Sequence, residues 1–266
     1  MTIRSLLAGL LTLTVLTLSA AWANNLDKIK QAGLRVCMDP DVGAIPFVMT
    51  NKTGELIGHD VDTANLMAKE LNTKLEIVKV SWDKIISALV DNQCDIILNS
   101  LSITDERKKL IDYSTVYAAL GQTVIIRKEL ANKITAATDL NHQKYKLTSV
   151  KGTNCEKMVN QFMPEAQYSS FKSMPEAINE VVEGKADGFV FDSISNKITL
   201  KKLGQEKLAL LDSPFTFENL GIGVQKGNPE LLSWINEFLA KIRTNGTKNQ
   251  LYQKWLRNID WLQDLR

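Results

Sequence analysis

Histidine is scarce: His59 and His142 are the only two in 266 residues. With so few, no Ser-His-Asp order is credible, and a histidine-built metal centre has no ligands. Cysteine is nearly as rare. Cys37, Cys94 and Cys155 follow no zinc spacing, and in an oxidising compartment an odd number leaves two states open: one disulfide plus a free thiol, or three thiols. Cys37 falls inside one predicted strand and Cys94 just before another, so a Cys37–Cys94 bridge is conceivable, although strand neighbours need not have the right geometry. No metal and no cofactor is expected. No basic block or arginine-rich stripe occurs, which argues against nucleic acid as a partner. Phosphate-binding glycine loops, fixed-period repeats and low-complexity segments are also missing.

The apolar stretch Leu6 to Leu18 is too short for a membrane helix. With Arg4 before it and Ala21-Trp22-Ala23 after it, residues 1–23 read as a secretory signal with cleavage after Ala23. No cysteine follows the apolar stretch, so a lipid anchor is not expected. Loss of Arg4 alone lowers the net charge from +2 to +1. The mature chain, about 243 residues from Asn24, suits one large domain or two lobes, exported and soluble.

What the sequence does have is concentrated in Ser100-Leu101-Ser102-Ile103-Thr104-Asp105-Glu106-Arg107. Three hydroxyls and a guanidinium directly follow the apolar run Ile96-Ile97-Leu98, which reads as a buried strand. The hydroxyls therefore fall at a strand's carboxyl end, where open α/β sheets bind ligands. Arg107 can grip a carboxylate with two parallel N–H···O bonds, and Ser100 and Ser102 add polar contacts. This arrangement holds a small carboxylate, most simply an amino acid, without chemistry on it.

Around that stretch, β and α patterns alternate. Leu34 to Met38 reads as a strand with Asp39 at its carboxyl end, and Asp60 as the cap of a helix carrying Val61, Ala64, Met67, Ala68 and Leu71. Leu75 to Val80 is the next strand, Trp82 to Val90 a helix and Cys94 to Asn99 a strand. The β-α-β-α-β order predicts parallel pairing. A second set follows: strands Thr123 to Ile126 and Lys146 to Val150, a helix through Phe162, and a capping box at Ser173-Met174-Pro175-Glu176 opening another helix. Asp187 to Phe191 is a strand with Asp192 at its end, Leu220 to Gln225 another, and two helices finish the chain. The expected division is lobe 1 over 24–116 plus 221–266 and lobe 2 over 122–214, with crossings near 117–121 and 215–220.

Three segments carry a resemblance: Gly58-His59-Asp60-Val61-Asp62, Ser100 to Arg107 followed by Ile111-Asp112-Tyr113-Ser114, and Gly184-Lys185-Ala186-Asp187 leading to Asp192. In order and spacing they resemble the polar amino-acid-binding proteins of ABC importers, solute-binding protein family 3. The resemblance implies a type II periplasmic binding protein fold, α/β, whose two lobes are each a mainly parallel sheet flanked by helices and close like a hinged trap. By position, Arg107 would clamp the ligand α-carboxylate with the backbone around Ser102. The Thr153-Asn154 turn would add N–H groups at a helix start. Asp192 would receive the α-ammonium group, and Ser100 would share that task. Trp82 would pack on the ligand side chain and Asp39 would line its pocket. The implied partners are an amino acid and the membrane permease of an ABC importer, with a periplasmic monomer as the default. Asp39 and Trp82 suit a basic amino acid first and a neutral polar one second.

Each residue also has a plainer role open to it: Arg107 in a surface ion pair with Asp105, Glu106 or Asp112, Asp192 as a helix N-cap, Asp39 as a loop cap and Trp82 in the core. Two other functions compete. Leu34-Arg35-Val36-Cys37 and Gly152-Thr153-Asn154 are similar to exported cyclohexadienyl dehydratases, in which an acid such as Glu156 or Glu165 would have to stay protonated. A ligand-sensing receptor partner would use the same binding residues.

Overall fold

The first strand, Leu34–Met38, has every residue but Arg35 buried, the pattern of a parallel strand covered on both faces. The computed structural model describes residues 25–265; the expected leader and its cleavage after Ala23 lie outside the described residues. A helix at Asn25–Ala32 (α1) leads into that strand (β1), and a small antiparallel pair, Met49–Thr50 (β2) with Leu56–Ile57 (β3), follows. Helix His59–Glu70 (α2) then crosses to Leu75–Lys79 (β4), and helix Ile85–Val90 (α3) crosses to Ile96–Ile97 (β5). Strand β1 lies between β4 and β5 and pairs with both in parallel, as the alternating order predicts. Helix Asp105–Lys108 (α4) and strand Ile111–Tyr113 (β6) complete this run.

The long strand Ala118–Arg127 (β7) carries the chain to a second sheet. There Lys146–Val150 (β8), helix Asn154–Phe162 (α5), Gln167–Phe171 (β9), helix Met174–Val182 (α6), Gly188–Asp192 (β10) and helix Ser193–Leu203 (α7) alternate. Leu208–Leu220 (β11) returns the chain to Gly223–Gln225 (β12), and helices Pro229–Thr244 (α8) and Thr247–Tyr252 (α9) follow. The first sheet has the order β4-β1-β5-β12-β6 and the second β11-β7-β10-β8-β9. Strands β7 and β11 pair antiparallel from Leu208↔Arg127 to Leu220↔Ala118, with a register shift between Leu211 and Thr216. At that shift Gly121 is required by space: a Cβ there would lie 2.5 Å from the Pro214 Cβ.

Several elements differ from the pattern reading. The Cys94–Asn99 strand shortens to Ile96–Ile97, and the helix expected from Trp82 opens as a 3₁₀ turn over Trp82–Lys84. The Thr123–Ile126 strand lengthens to Ala118–Arg127. Strand β9 was not expected, because its sequence QYSSF offers no apolar run and none of its residues is fully buried. Asp60 does not cap its helix. Gly58 stands at the N-cap with φ 137°, since a Cβ there would come 2.2 Å from the Phe47 carbonyl oxygen.

Cys37 and Cys94 are joined in a disulfide across 57 residues, tying β1 to the segment entering β5. Cys155 is free and buried. The C-terminal residues pack on the first lobe, where Trp255 donates to the Asp62 carboxylate at 2.8 Å. Among the described residues no helix is long and apolar enough to cross a membrane.

Candidate ligand-binding cleft

The cleft is assembled from turns at strand ends. After β5 the backbone bends sharply at Ser100, a non-glycine residue held at φ 46°, a conformation costly enough to need outside support. Asp60, fully buried at the start of α2, supplies it. Its Oδ2 accepts the Ser100 N–H at 2.7 Å and the Tyr117 hydroxyl at 2.9 Å, and its Oδ1 lies 2.9 Å from His59 Nδ1.

Thr104 caps the short helix α4 by accepting the Arg107 N–H, which aims the guanidinium back toward Ser102. Nη1 of Arg107 donates to the Ser102 carbonyl at 3.0 Å, and Nη2 donates to the Gly152 carbonyl at 3.1 Å. Its guanidinium lies 5.3 Å from the centroid of the Trp82 ring, within cation–π range. Burial draws the Arg107 pKa below its ordinary value, and Tyr113 and Glu218 oppose that shift. The Tyr113 hydroxyl also donates to the Ser102 carbonyl and is pushed up to about 12 by burial. Arg107 is thus not spent on Asp105, Glu106 or Asp112.

The Asp39 carboxylate is held by backbone N–H groups. Its Oδ1 accepts the Asp41 N–H at 2.8 Å and its Oδ2 accepts the Trp82 N–H at 2.6 Å. Both oxygens are engaged by backbone, and the side chain stands behind Trp82 instead of lining the cavity. Burial raises its pKa, and those backbone bonds pull against the rise. Asp39 closes its own loop and fixes Trp82, which makes it a loop cap.

On the opposite wall, Thr153 caps α5 by accepting the Glu156 N–H, so the positive end of that helix faces the cleft. Asn154 Nδ2 donates to Glu218 Oε2 at 2.6 Å. Asp192, at the end of β10, is the N-cap residue of α7 yet makes no side-chain capping bond. Its carboxyl instead meets the Cys155 thiol at 3.6 Å and shares a hydrogen bond with Glu218. Burial, followed by the Glu218 charge, pushes the Asp192 pKa well above the usual carboxylate range. Burial likewise pushes up the Cys155 thiol, helped by Asp192 and Glu218.

Six of the eight expected residues (Trp82, Ser100, Ser102, Thr153, Asn154 and Asp192) line one narrow cavity of about 20 Å³. Arg107 sits in its wall between Ser102 and Gly152, and Asp39 lies outside it. The sequence reading missed Glu218, Cys155 and Phe191, which also line the cavity. On β11 Phe217 is 82% exposed while Glu218 lines the cavity, so strand alternation turns the acid inward and the aromatic out. Glu156 accepts the Gly152 N–H and Glu165 is exposed; neither lines the cavity. A wider groove of about 640 Å³ near Arg35 and Asp95 is no rival, because Arg35 is already bonded to Asp95 and to the carbonyls of Asn92 and Gln93.

Against this geometry, the family described as bacterial extracellular solute-binding proteins, family 3, matches residues 34–258. The chain belongs to that family. The member's fold is the two-lobed α/β fold of the type II binding proteins. A crystal structure of the ancestral amino acid-binding protein AncCDT-1, a precursor of cyclohexadienyl dehydratase, is 40% identical over 87% of this chain and 99% of its own, with a TM-score of 0.81. A putative ABC-transporter binding component from Wolinella succinogenes DSM 1740, complexed with lysine, is 35% identical over 86% and 98%, with a TM-score of 0.83. A probable histidine-binding protein of Neisseria gonorrhoeae is 29% identical over 96% of both chains.

Proposed function

We propose that this family member captures an amino acid between its two lobes, closes on it, and presents the closed form to the permease of an ABC importer. One observation carries the reading. Arg107 and Asp192 converge on a single cavity from opposite sheets, a cation and an acid placed for the two ends of a zwitterion. The α-carboxylate meets Arg107, the backbone at Ser102 and the start of α5, while the α-ammonium meets Asp192 with help from Ser100. Trp82 packs on the ligand side chain. Closure is driven by contacts that exist only when both walls touch the ligand. The relatives' names, lysine- and histidine-binding among them, support an amino acid as cargo.

The chain divides as lobe 1 over 24–116 plus 221–266 and lobe 2 over 122–214, bending at 117–121 and 215–220. It works in the periplasm as a monomer after cleavage following Ala23, and it is not an enzyme.

A dehydratase reading has one specific observation in its favour, the buried Asp192 carboxyl whose pKa burial and Glu218 push well above the usual carboxylate range. A thermal-shift screen of the mature protein against the twenty amino acids and prephenate separates the two. Stabilisation by one or a few amino acids, lost in Arg107→Ala and Asp192→Ala, is the expected result. Phenylpyruvate formed from prephenate with no amino-acid shift would replace the transport reading with the enzymatic one.

A further inference from the structure

Cleft charges do not balance for a neutral amino acid. Arg107 touches the cavity's lining at Ser102 and Trp82, and the α-carboxylate of a ligand claims it. Two acids line the same cavity, Asp192 and Glu218. A zwitterion has one ammonium group and leaves one of the two without a cationic partner in a space closed by Phe191, Val42 and Ala44. An unpaired charge in such surroundings is costly.

Glu218 is well held for a second cation. Asn154 donates to its Oε2, and its carboxyl also meets that of Asp192. Cys155, Tyr117, Asn154 and Arg107 stand around the pair. Burial and the Glu218 charge push the Asp192 carboxyl well above the usual carboxylate range, as expected for like charges in contact.

We infer that Glu218 sets the charge this cleft accepts, so that the ligand is an amino acid bearing a second cation on its side chain. The inference rests on the amino-acid reading of the same cleft and narrows it. One carboxylate takes the α-ammonium and the other takes the side-chain ammonium or guanidinium.

The test is calorimetric titration of the mature wild type, Glu218→Gln and Glu218→Asp with L-lysine, L-arginine, L-histidine and L-glutamine. Wild type binds lysine or arginine tightest. In Glu218→Gln that affinity falls on the order of 10–100-fold, while glutamine binding is kept or tightened because the unpaired acid is gone. A circular-dichroism spectrum and melting point close to wild type show that the variant is folded, and Glu218→Asp keeps the cationic preference. Equal loss for lysine and glutamine in Glu218→Gln would overturn the inference, since both acids would then serve the α-ammonium. So would a wild type that binds glutamine as tightly as lysine or arginine; in both cases the amino-acid reading survives. No heat with any amino acid removes both readings together.

Discussion

Arg107 donates to the carbonyl oxygens of Ser102 and Gly152 at 3.0 Å and 3.1 Å. Ser102 belongs to the first sheet's ligand turn and Gly152 to the turn that opens α5 in the second. One guanidinium therefore holds the two walls in register and still presents its face to Trp82 at 5.3 Å. A planar fork manages all of this at once, and a point charge does not.

Arg107→Lys should accordingly weaken amino-acid binding although the charge is kept. The expected loss is about 2–4 kcal/mol, or roughly 30- to 1000-fold in Kd by calorimetry. A variant within about threefold of wild type would remove Arg107 from the carboxylate role.

Asp60 touches no part of the cavity, yet it supports the strained turn at Ser100. In Asp60→Asn the Ser100 N–H and the Tyr117 hydroxyl lose a charged acceptor. We expect about 2–3 kcal/mol less stability in urea, with ligand affinity falling as Ser100 relaxes. Tyr117→Phe removes one bond and should cost about 1 kcal/mol. Equal losses in the two variants would place the support elsewhere.

The Asp192 pKa is raised from 3.8 by burial and by Glu218. A group whose folded pKa lies above its unfolded one contributes stability fully present below 3.8 and lost as pH rises through the raised value. The ligand-free protein should therefore lose stability over that window. Ligand binding has the opposite dependence: the cation displaces a proton, so affinity falls as pH is lowered. Calorimetry in two buffers of different ionisation enthalpy, in the window above pH 3.8 that the raised pKa opens, should show net proton release that Asp192→Asn abolishes. Heats independent of buffer would contradict the raised Asp192 pKa.

Removing the Cys37–Cys94 bridge frees a long loop. The Cys37→Ala/Cys94→Ala protein should lose about 2–5 kcal/mol in denaturant titration. Cys155 should resist maleimide in the native state and react after unfolding, because it is buried with a raised pKa. Rapid native labelling would show that the cleft wall opens.

The recognition end of the cleft was legible because its chemistry sits at strand ends in short, dense segments. Ser100 to Arg107 and Asp192 are placed by strand direction alone, and Thr153 by helix-start chemistry. An acid at a strand end suits both a ligand and a loop, and the Asp39 carboxylate accepts the Asp41 and Trp82 N–H groups. Asp60 looked like a cap because it precedes an apolar helical stripe; its real partners lie 40 and 57 residues away. Glu218 was out of reach because its place depends on the register of β11 against β7, a long-range pairing with a slip between Leu211 and Thr216.

That same register has a mechanical meaning. Glu218 pairs with Leu120, and Gly121 with Phe217, within the stretch where β7 and β11 leave one sheet for the other. The two connections are therefore not independent tethers but a single laced ribbon, and a ribbon flexes about one axis while resisting shear. On the proposal above, the residue that weighs the ligand's charge sits on that ribbon, and exchanging Glu218 should shift cargo preference and resting aperture together.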